Sequence, residues 1–204
     1  MKKTSPGCGR CVSYLCDMNK KKPILPQRLD RKTVYESQWI NLYTDKVLMP
    51  SGKIIDKYHF LDYQKKGVVV LLINSKKEVC FIKSLRYTKQ KIEWELPAGS
   101  IEKRETALQA AKREVLEETG YKTKSLKLLY KFNPSTGMSN QTIHAVLGFT
   151  SNDQHIPFDT DEVAKIHWLS LREVTKLIKT KKITDAIALI PLLLYLNNAH
   201  KNVT

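Results

Sequence analysis

From Gly67 to Ile73 the chain reads GVVVLLI, an unbroken apolar run of the length expected for a strand buried on both faces. Asn74 to Lys77 has the composition of a turn, and Val79 to Ser84 reads as the returning strand. Upstream, between Thr33 and Tyr63, apolar and polar residues alternate on either side of Pro50-Ser51-Gly52, which predicts two strands of a small antiparallel sheet. Downstream, Glu93–Leu96, Leu126–Tyr130, Ile143–Phe149 and Val163–Leu169 read as further strands, separated by segments rich in Pro, Gly, Ser and Asp. The period changes over residues 107–119. Ala107, Leu108, Ala111 and Val115 fall on one side at helical spacing, Thr106 and Gln109 have the spacing of a capping box, and Gly120 is the residue type that closes a helix in the left-handed conformation. Two more helices are predicted, over 171–179 and 184–199. Helices interspersed among strands, without a regular βαβ period, predict an α+β sandwich and not a doubly wound sheet.

Length and charge narrow this picture only slightly. The 204 residues suit one domain with an appendage, or two small domains. Residues 1–27 lack a sustained hydrophobic period and read as a flexible, basic, Cys-containing leader. The excess of 35 Lys and Arg over 20 Asp and Glu gives a formal net charge of +15, which favours anionic partners such as phosphorylated metabolites or nucleic acid. The basic residues are spread in short groups, as on a solvated surface. Cys8-x-x-Cys11 has the spacing of half a zinc site, but no second pair follows, and with Cys16 it reads instead as the content of a reduced tail. The start has no apolar run of signal-peptide length, and the longest apolar run, Ala186 to Leu196, is too short to span a bilayer and contains Pro191. A cytoplasmic protein without a membrane segment is expected.

Chemistry concentrates at the end of the first helix, where Glu114, Glu117 and Glu118 crowd together. Like charges four residues apart repel by a few tenths of a kcal/mol, and carboxylates in a last turn face the negative end of the helix dipole at a cost of about 0.3 to 1 kcal/mol each. Two readings are open: a solvated acidic helix end with Lys112 and Arg113 as partners, or a site for a divalent cation. Carboxylate oxygens suit magnesium, manganese or calcium better than zinc.

The acids belong to a longer pattern, Gly99-x5-Glu105-x7-Arg113-Glu114-Val115-x-Glu117-Glu118-x-Gly120-Tyr121, which resembles the Nudix box. Every invariant position is present, and only the final aliphatic position departs, being Tyr121. The resemblance implies an α-β-α sandwich and a hydrolase in which water attacks a phosphorus of a nucleoside diphosphate linked to another group, with Mg2+ or Mn2+ as cofactor. It implies metal ligation by Glu114, Glu117 and Glu118 and by the carbonyl of Ala98, catalytic roles for Glu117 and Glu118, and supporting roles for Gly99, Glu105, Arg113 and Gly120.

Residues outside the box narrow the branch. Leu85-Arg86-Tyr87, then Glu95-Leu96-Pro97-Ala98-Gly99, then Pro134-Ser135-Thr136-Gly137 are similar to segments of the ADP-ribose pyrophosphatases and related nucleoside diphosphate sugar hydrolases. That likeness implies cleavage of ADP-ribose, or a similar nucleoside diphosphate sugar, to AMP and ribose 5-phosphate. It places Arg86, Glu95 and Gly137 at the substrate, and a base in Asp159-Thr160-Asp161-Glu162, where Glu162 matches best. In the N-terminal sheet, Trp39 and Tyr35 are candidates to stack a nucleobase, with packing within the sheet as the other reading. It also implies a homodimer formed through an N-terminal sheet over 28–65, ahead of a catalytic domain over 66–204. Ser84 and Gln141 stand where the branch often has Gln and an acid. Alternatives are a GDP-mannose-type or other nucleoside diphosphate hydrolase, and a non-catalytic nucleic-acid-binding or ligand-sensing module.

Overall fold

The computed structural model describes residues 24–157, 160–161 and 163–201. Among the described residues, ten strands and three α-helices follow in the order β1 (Gln27–Tyr35), β2 (Ile40–Leu48), β3 (Ile54–Tyr63), β4 (Gly67–Ile73), β5 (Val79–Arg86), β6 (Lys91–Glu95), β7 (Ala98–Ser100), α1 (Ala107–Thr119), β8 (Tyr121–Phe132), β9 (Ile143–His155), β10 (Val163–Leu169), α2 (Leu171–Lys179) and α3 (Ala186–Lys201). A 3-10 turn over Tyr87–Lys89 links β5 to β6. Strands β1, β2 and β3 form one sheet in that order; the others form a seven-stranded sheet ordered β10-β5-β4-β9-β8, with β6 added to β5 and β7 to β4.

The chain divides into two compact units, one holding the described residues up to Arg31 together with Asp45–Tyr58, the other Lys32–Thr44 and the described residues from His59 onward. In the first unit, β2 and β3 are joined by a tight turn in which Gly52, at φ 84°, donates its N–H to the Met49 carbonyl at 2.9 Å. Arg31 and Asp45 form a forked pair there, with Nε and Nη2 each donating at 2.7 Å. Those bonds hold the Asp45 carboxyl below the usual carboxylate range against the opposing effect of its burial. A lowered folded-state pKa contributes stability that is complete above the unfolded value of about 3.9 and disappears as pH falls through the folded value. Asp45→Asn is therefore expected to show a smaller loss of stability than the wild type when urea unfolding is compared between neutral pH and acid conditions below pH ~4. An identical acid slope would show that the pair contributes nothing.

In the second unit, β4 lies at the centre of the large sheet, parallel to β9 from Gly67 opposite Ile143 to Ile73 opposite Phe149. Its alternate residues serve two cores, which is why it carries no polar face. Val69, Leu71 and Ile73 pack with Phe81, Leu96, Val174 from α2, and Ala188 and Leu192 from α3. Val68, Val70 and Leu72 pack with Ala110, Ala111 and Val115 from α1. The result is the α-β-α sandwich that the sequence predicts. Both sheet ends are strand edges. At one, β8 meets β9 with three register shifts and presents Lys122, Lys124, Lys127 and Lys131 to solvent.

Three local expectations change. A third N-terminal strand, β1, begins at Gln27; QRLDRKTVY is almost wholly exposed, so its hydrophobic period is silent and backbone pairing alone defines it. Ala98–Ser100 adds a short strand beyond those read from the sequence, because Gly67, Val68 and Val69 pair with it across from Ser100, Gly99 and Ala98. On α1, Leu108 is 40% exposed, and the buried face instead carries Ala110, Ala111, Glu114, Val115 and Glu118.

Candidate active site

Both ends of α1 are fixed by local chemistry. At the start, the Thr106 hydroxyl accepts the Gln109 N–H at 3.3 Å, while Gln109 Oε1 accepts the Thr106 N–H at 2.8 Å. At the end, Gly120 takes φ 71° and donates its N–H to the Leu116 carbonyl at 2.9 Å. A methyl group on Gly120 would overlap the carbonyl oxygen of Ile156. With its ends and its apolar face set, the helix has one rotation, and that rotation buries Glu114 and Glu118 while leaving the Glu117 side chain 54% exposed.

Strand β7 runs along the buried acids. A methyl group at Gly99 would overlap the Glu114 carboxylate, so the absence of a side chain there gives that carboxylate its place. The Ala98 N–H donates to Glu118 Oε2 at 2.9 Å. Arg113 ties the rest together. Its Nη1 donates to Glu114 at 2.7 Å and Glu117 at 3.0 Å, its Nε and Nη2 to the two Glu105 oxygens at 3.1 and 3.0 Å, and its Nη2 to the Ser100 carbonyl at 2.8 Å. The Glu102 N–H also donates to Glu105 at 3.0 Å.

These contacts have opposite effects on two of the acids. The Arg113 bonds hold the Glu105 carboxyl below its usual range. Glu114 is pushed upward, because burial outweighs its bond to Arg113, and the charges of Glu117 and Glu105 add to the rise. Burial likewise pushes the Cys80 thiol far up, with the charge of Glu118 second, so this cysteine is an inert core residue.

Beside β7 opens a cleft of about 570 Å³ whose lining includes Trp39, Tyr63, Lys65, Arg86, Gly99 and Gln141. Trp39 is 62% exposed, with Lys65 Nζ 5.4 Å from its ring centroid. Lys65 also grips both Glu102 oxygens at 2.8 and 2.7 Å. Arg86 and Glu95, both expected at substrate, are paired with each other: Nε donates to Glu95 Oε1 at 2.8 Å and Nη2 to Oε2. Glu95 itself is buried.

The structure thus brings Trp39, Arg86, Ala98 and Gly99 to one cleft, with Glu114 and Glu118 against its β7 wall. Gly137 stands in the exposed turn between β8 and β9 and does not line the cleft. Asp159 and Glu162 lie outside the described residues. Among the described residues no three Asp, Glu, His or Cys side chains come close enough to hold a metal ion between them; Glu114 and Glu117 turn to Arg113, and Glu118 to the Ala98 N–H. Tyr63 and Lys65 carry no motif in the sequence, and Lys65 there is only one of many surface lysines. Their common signal is position, just before the buried strand β4.

The NUDIX domain family matches residues 64–190, and the nucleoside diphosphate sugar hydrolase N-terminal domain family matches residues 27–61. The chain is 26% identical over 167 residues to an ADP-ribose pyrophosphatase of Bacillus subtilis (strain 168), covering 81% of this chain and 89% of that protein. It is 28% identical over 155 residues to a methanol dehydrogenase activator of Bacillus methanolicus, covering 75% and 83%. A CMP-5'-(N-acetyl-N-hydroxy-3-aminopropyl)phosphonate hydrolase of Streptomyces rubellomurinus (strain ATCC 31215) is 24% identical over 160 residues, covering 78% and 76%. Among solved structures, an ADP compounds hydrolase superposes with a TM-score of 0.79 at 18% identity, covering 90% of this chain and 98% of that one, a likeness of fold.

Proposed function

Because this chain belongs to the Nudix family and is a hydrolase related to ADP-ribose pyrophosphatase, we propose that it cleaves ADP-ribose, or a similar nucleoside diphosphate sugar, to AMP and ribose 5-phosphate. The observation that carries this reading is the pair of buried acids, Glu114 and Glu118, held against β7 at the wall of a cleft that also contains Trp39 and Arg86. The match of a nucleoside diphosphate sugar hydrolase domain to residues 27–61 supports the same substrate class.

The donor set fits a hard divalent cation, magnesium or manganese. Its acids are oxygen donors, and two of them, Glu114 and Glu118, are buried. Glu114, Glu117 and Glu118, with the Ala98 carbonyl, would hold it. Such an ion polarises phosphate oxygens and favours ionisation of water. Glu117 and Glu118 serve catalysis there, and Glu162, in the acidic segment before β10, takes the proton of the attacking water. The bond broken is a P–O bond of the pyrophosphate, and the nucleoside monophosphate and the sugar phosphate leave.

Substrate is held by the remaining residues. The Arg86 guanidinium, oriented by Glu95, meets the phosphates with forked hydrogen bonds. Trp39 offers a ring face to the base. Gly137, which does not line the cleft, would meet substrate only where the substrate extends beyond it to the turn between β8 and β9. Gly99, Glu105, Arg113 and Gly120 keep the acids in place. The protein works as a homodimer through the sheet over residues 28–65, with 1–27 as a leader and 66–204 as the catalytic domain. It acts in the cytoplasm; no described helix is long and apolar enough to cross a membrane.

Product analysis tests the substrate. Purified protein with magnesium, offered ADP-ribose, GDP-mannose, NADH and dinucleoside polyphosphates, is expected to release AMP and ribose 5-phosphate from ADP-ribose fastest. Faster turnover of GDP-mannose would keep the chemistry and overturn the substrate. Absence of any hydrolysis would favour a binding module.

A further inference from the structure

The connection between β8 and β9 meets the end of β3 through one side chain. Asn140 Oδ1 accepts the Tyr63 N–H at 2.7 Å, while its Nδ2 donates to Asp62 Oδ1 and, at 3.4 Å, to the Tyr63 carbonyl. The main chain repeats the connection. The Leu61 N–H donates to the Met138 carbonyl at 2.8 Å, the Asn140 N–H donates to the Leu61 carbonyl at 3.4 Å, and Leu61 bridges to Ser139 in parallel.

Both sides of this junction supply cleft residues, namely Tyr63 at the end of β3 and Gln141 next to Asn140. Just beyond, the Thr142 carbonyl accepts the Gly67 N–H at 2.9 Å, and the Gln141 carbonyl accepts Asn133 Nδ2 at 2.7 Å. The backbone at Gln141 is therefore held from before and after. None of these bonds involves α1 or β7, whose acids are fixed separately by Arg113 and Ala98.

We infer that Asn140 is a positioning residue for the nucleoside diphosphate sugar, setting the Tyr63 and Gln141 walls of the cleft relative to each other and so governing substrate binding and not turnover. This rests on the function proposed above. The position requires an amide, since one end accepts from a main-chain N–H and the other donates to a carboxylate. Aspartate would keep the acceptor, lose the donor and face Asp62 with a second negative charge.

The test uses whichever panel substrate the wild type cleaves fastest, so an error in the substrate does not affect it. Asn140→Asp is expected to raise KM about tenfold while kcat stays within about twofold, the signature of lost binding that the ground and transition states share. Adding Asp62→Asn returns a donor to the pair and is expected to bring KM back to within about threefold of wild type, a coupling between contacting residues. A fall in kcat at constant KM, or a double variant no better than Asn140→Asp, would overturn the role. If Asn140→Asp does not fold, the double variant is compared with Asn140→Ala: a raised KM only in the alanine variant supports the role, and equal KM values overturn it. Hydrolysis of no panel member would overturn the function itself and this inference with it.

Discussion

Glu118→Gln is expected to lower kcat by on the order of a hundredfold or more and to leave the fold nearly unchanged. The two effects separate because the side chain does two jobs. Its Oε2 accepts the Ala98 N–H at 2.9 Å, a bond that the glutamine carbonyl oxygen can reproduce in the same volume. Its negative charge has no replacement. Under the proposed function that charge helps hold a divalent cation, and stabilising the charge that develops on phosphate usually contributes more to such a reaction than any other single effect. Turnover and thermal unfolding should be measured together across a magnesium titration. Near wild-type kcat would remove Glu118 from the chemistry, while a large drop in melting temperature would show that its role is structural.

Gly99→Ala is expected to reduce kcat by about the same factor from outside the acidic helix, since a misplacement of about 1 Å at a reacting group can cost on the order of a hundredfold. The added methyl would overlap the Glu114 carboxylate, and no backbone atom is among its nearest contacts. The far end of a flexible side chain can swing aside, so β7 need not part from β4. The loss should therefore appear in turnover and hardly at all in stability. An active Gly99→Ala enzyme would mean that Glu114 acts, if at all, from another position. Gly120 differs in kind, since a methyl there meets the Ile156 backbone and the residue already sits at positive φ.

The same contrast separates what could be read in the sequence from what could not. Helix α1 was legible to the residue because Thr106, Gln109 and Gly120 are local signals, each acting on its own neighbours. Strand β4 was legible because burial on both faces leaves a seven-residue apolar run. Leu108 misled, since hydrophobicity says nothing of which face the tertiary contacts choose, and here the small residues Ala110 and Ala111 allow close approach to the sheet. The pairing of Arg86 with Glu95 was hidden as well. Both residues stand in recognisable segments, but the register sets them at opposite ends of the β5–β6 ladder, with Arg86 opposite Lys91 and Ile82 opposite Glu95, and only the reach of their side chains brings them together. The cleft was the least legible part, because Trp39, Tyr63, Arg86 and Gln141 come from four separate segments that only the topology brings together. Asn140 gave no pattern at all; its role comes from the partners it meets 77 and 78 positions away.

Four outward lysines and three register shifts make β8 a poor template for another strand. A second chain cannot readily lengthen the large sheet from that side, because its ladder would have to follow the shifts and bring cation against cation. The edge therefore disfavours open-ended stacking through this side of the sheet, and it should help keep unfolded or newly made copies from templating on folded ones.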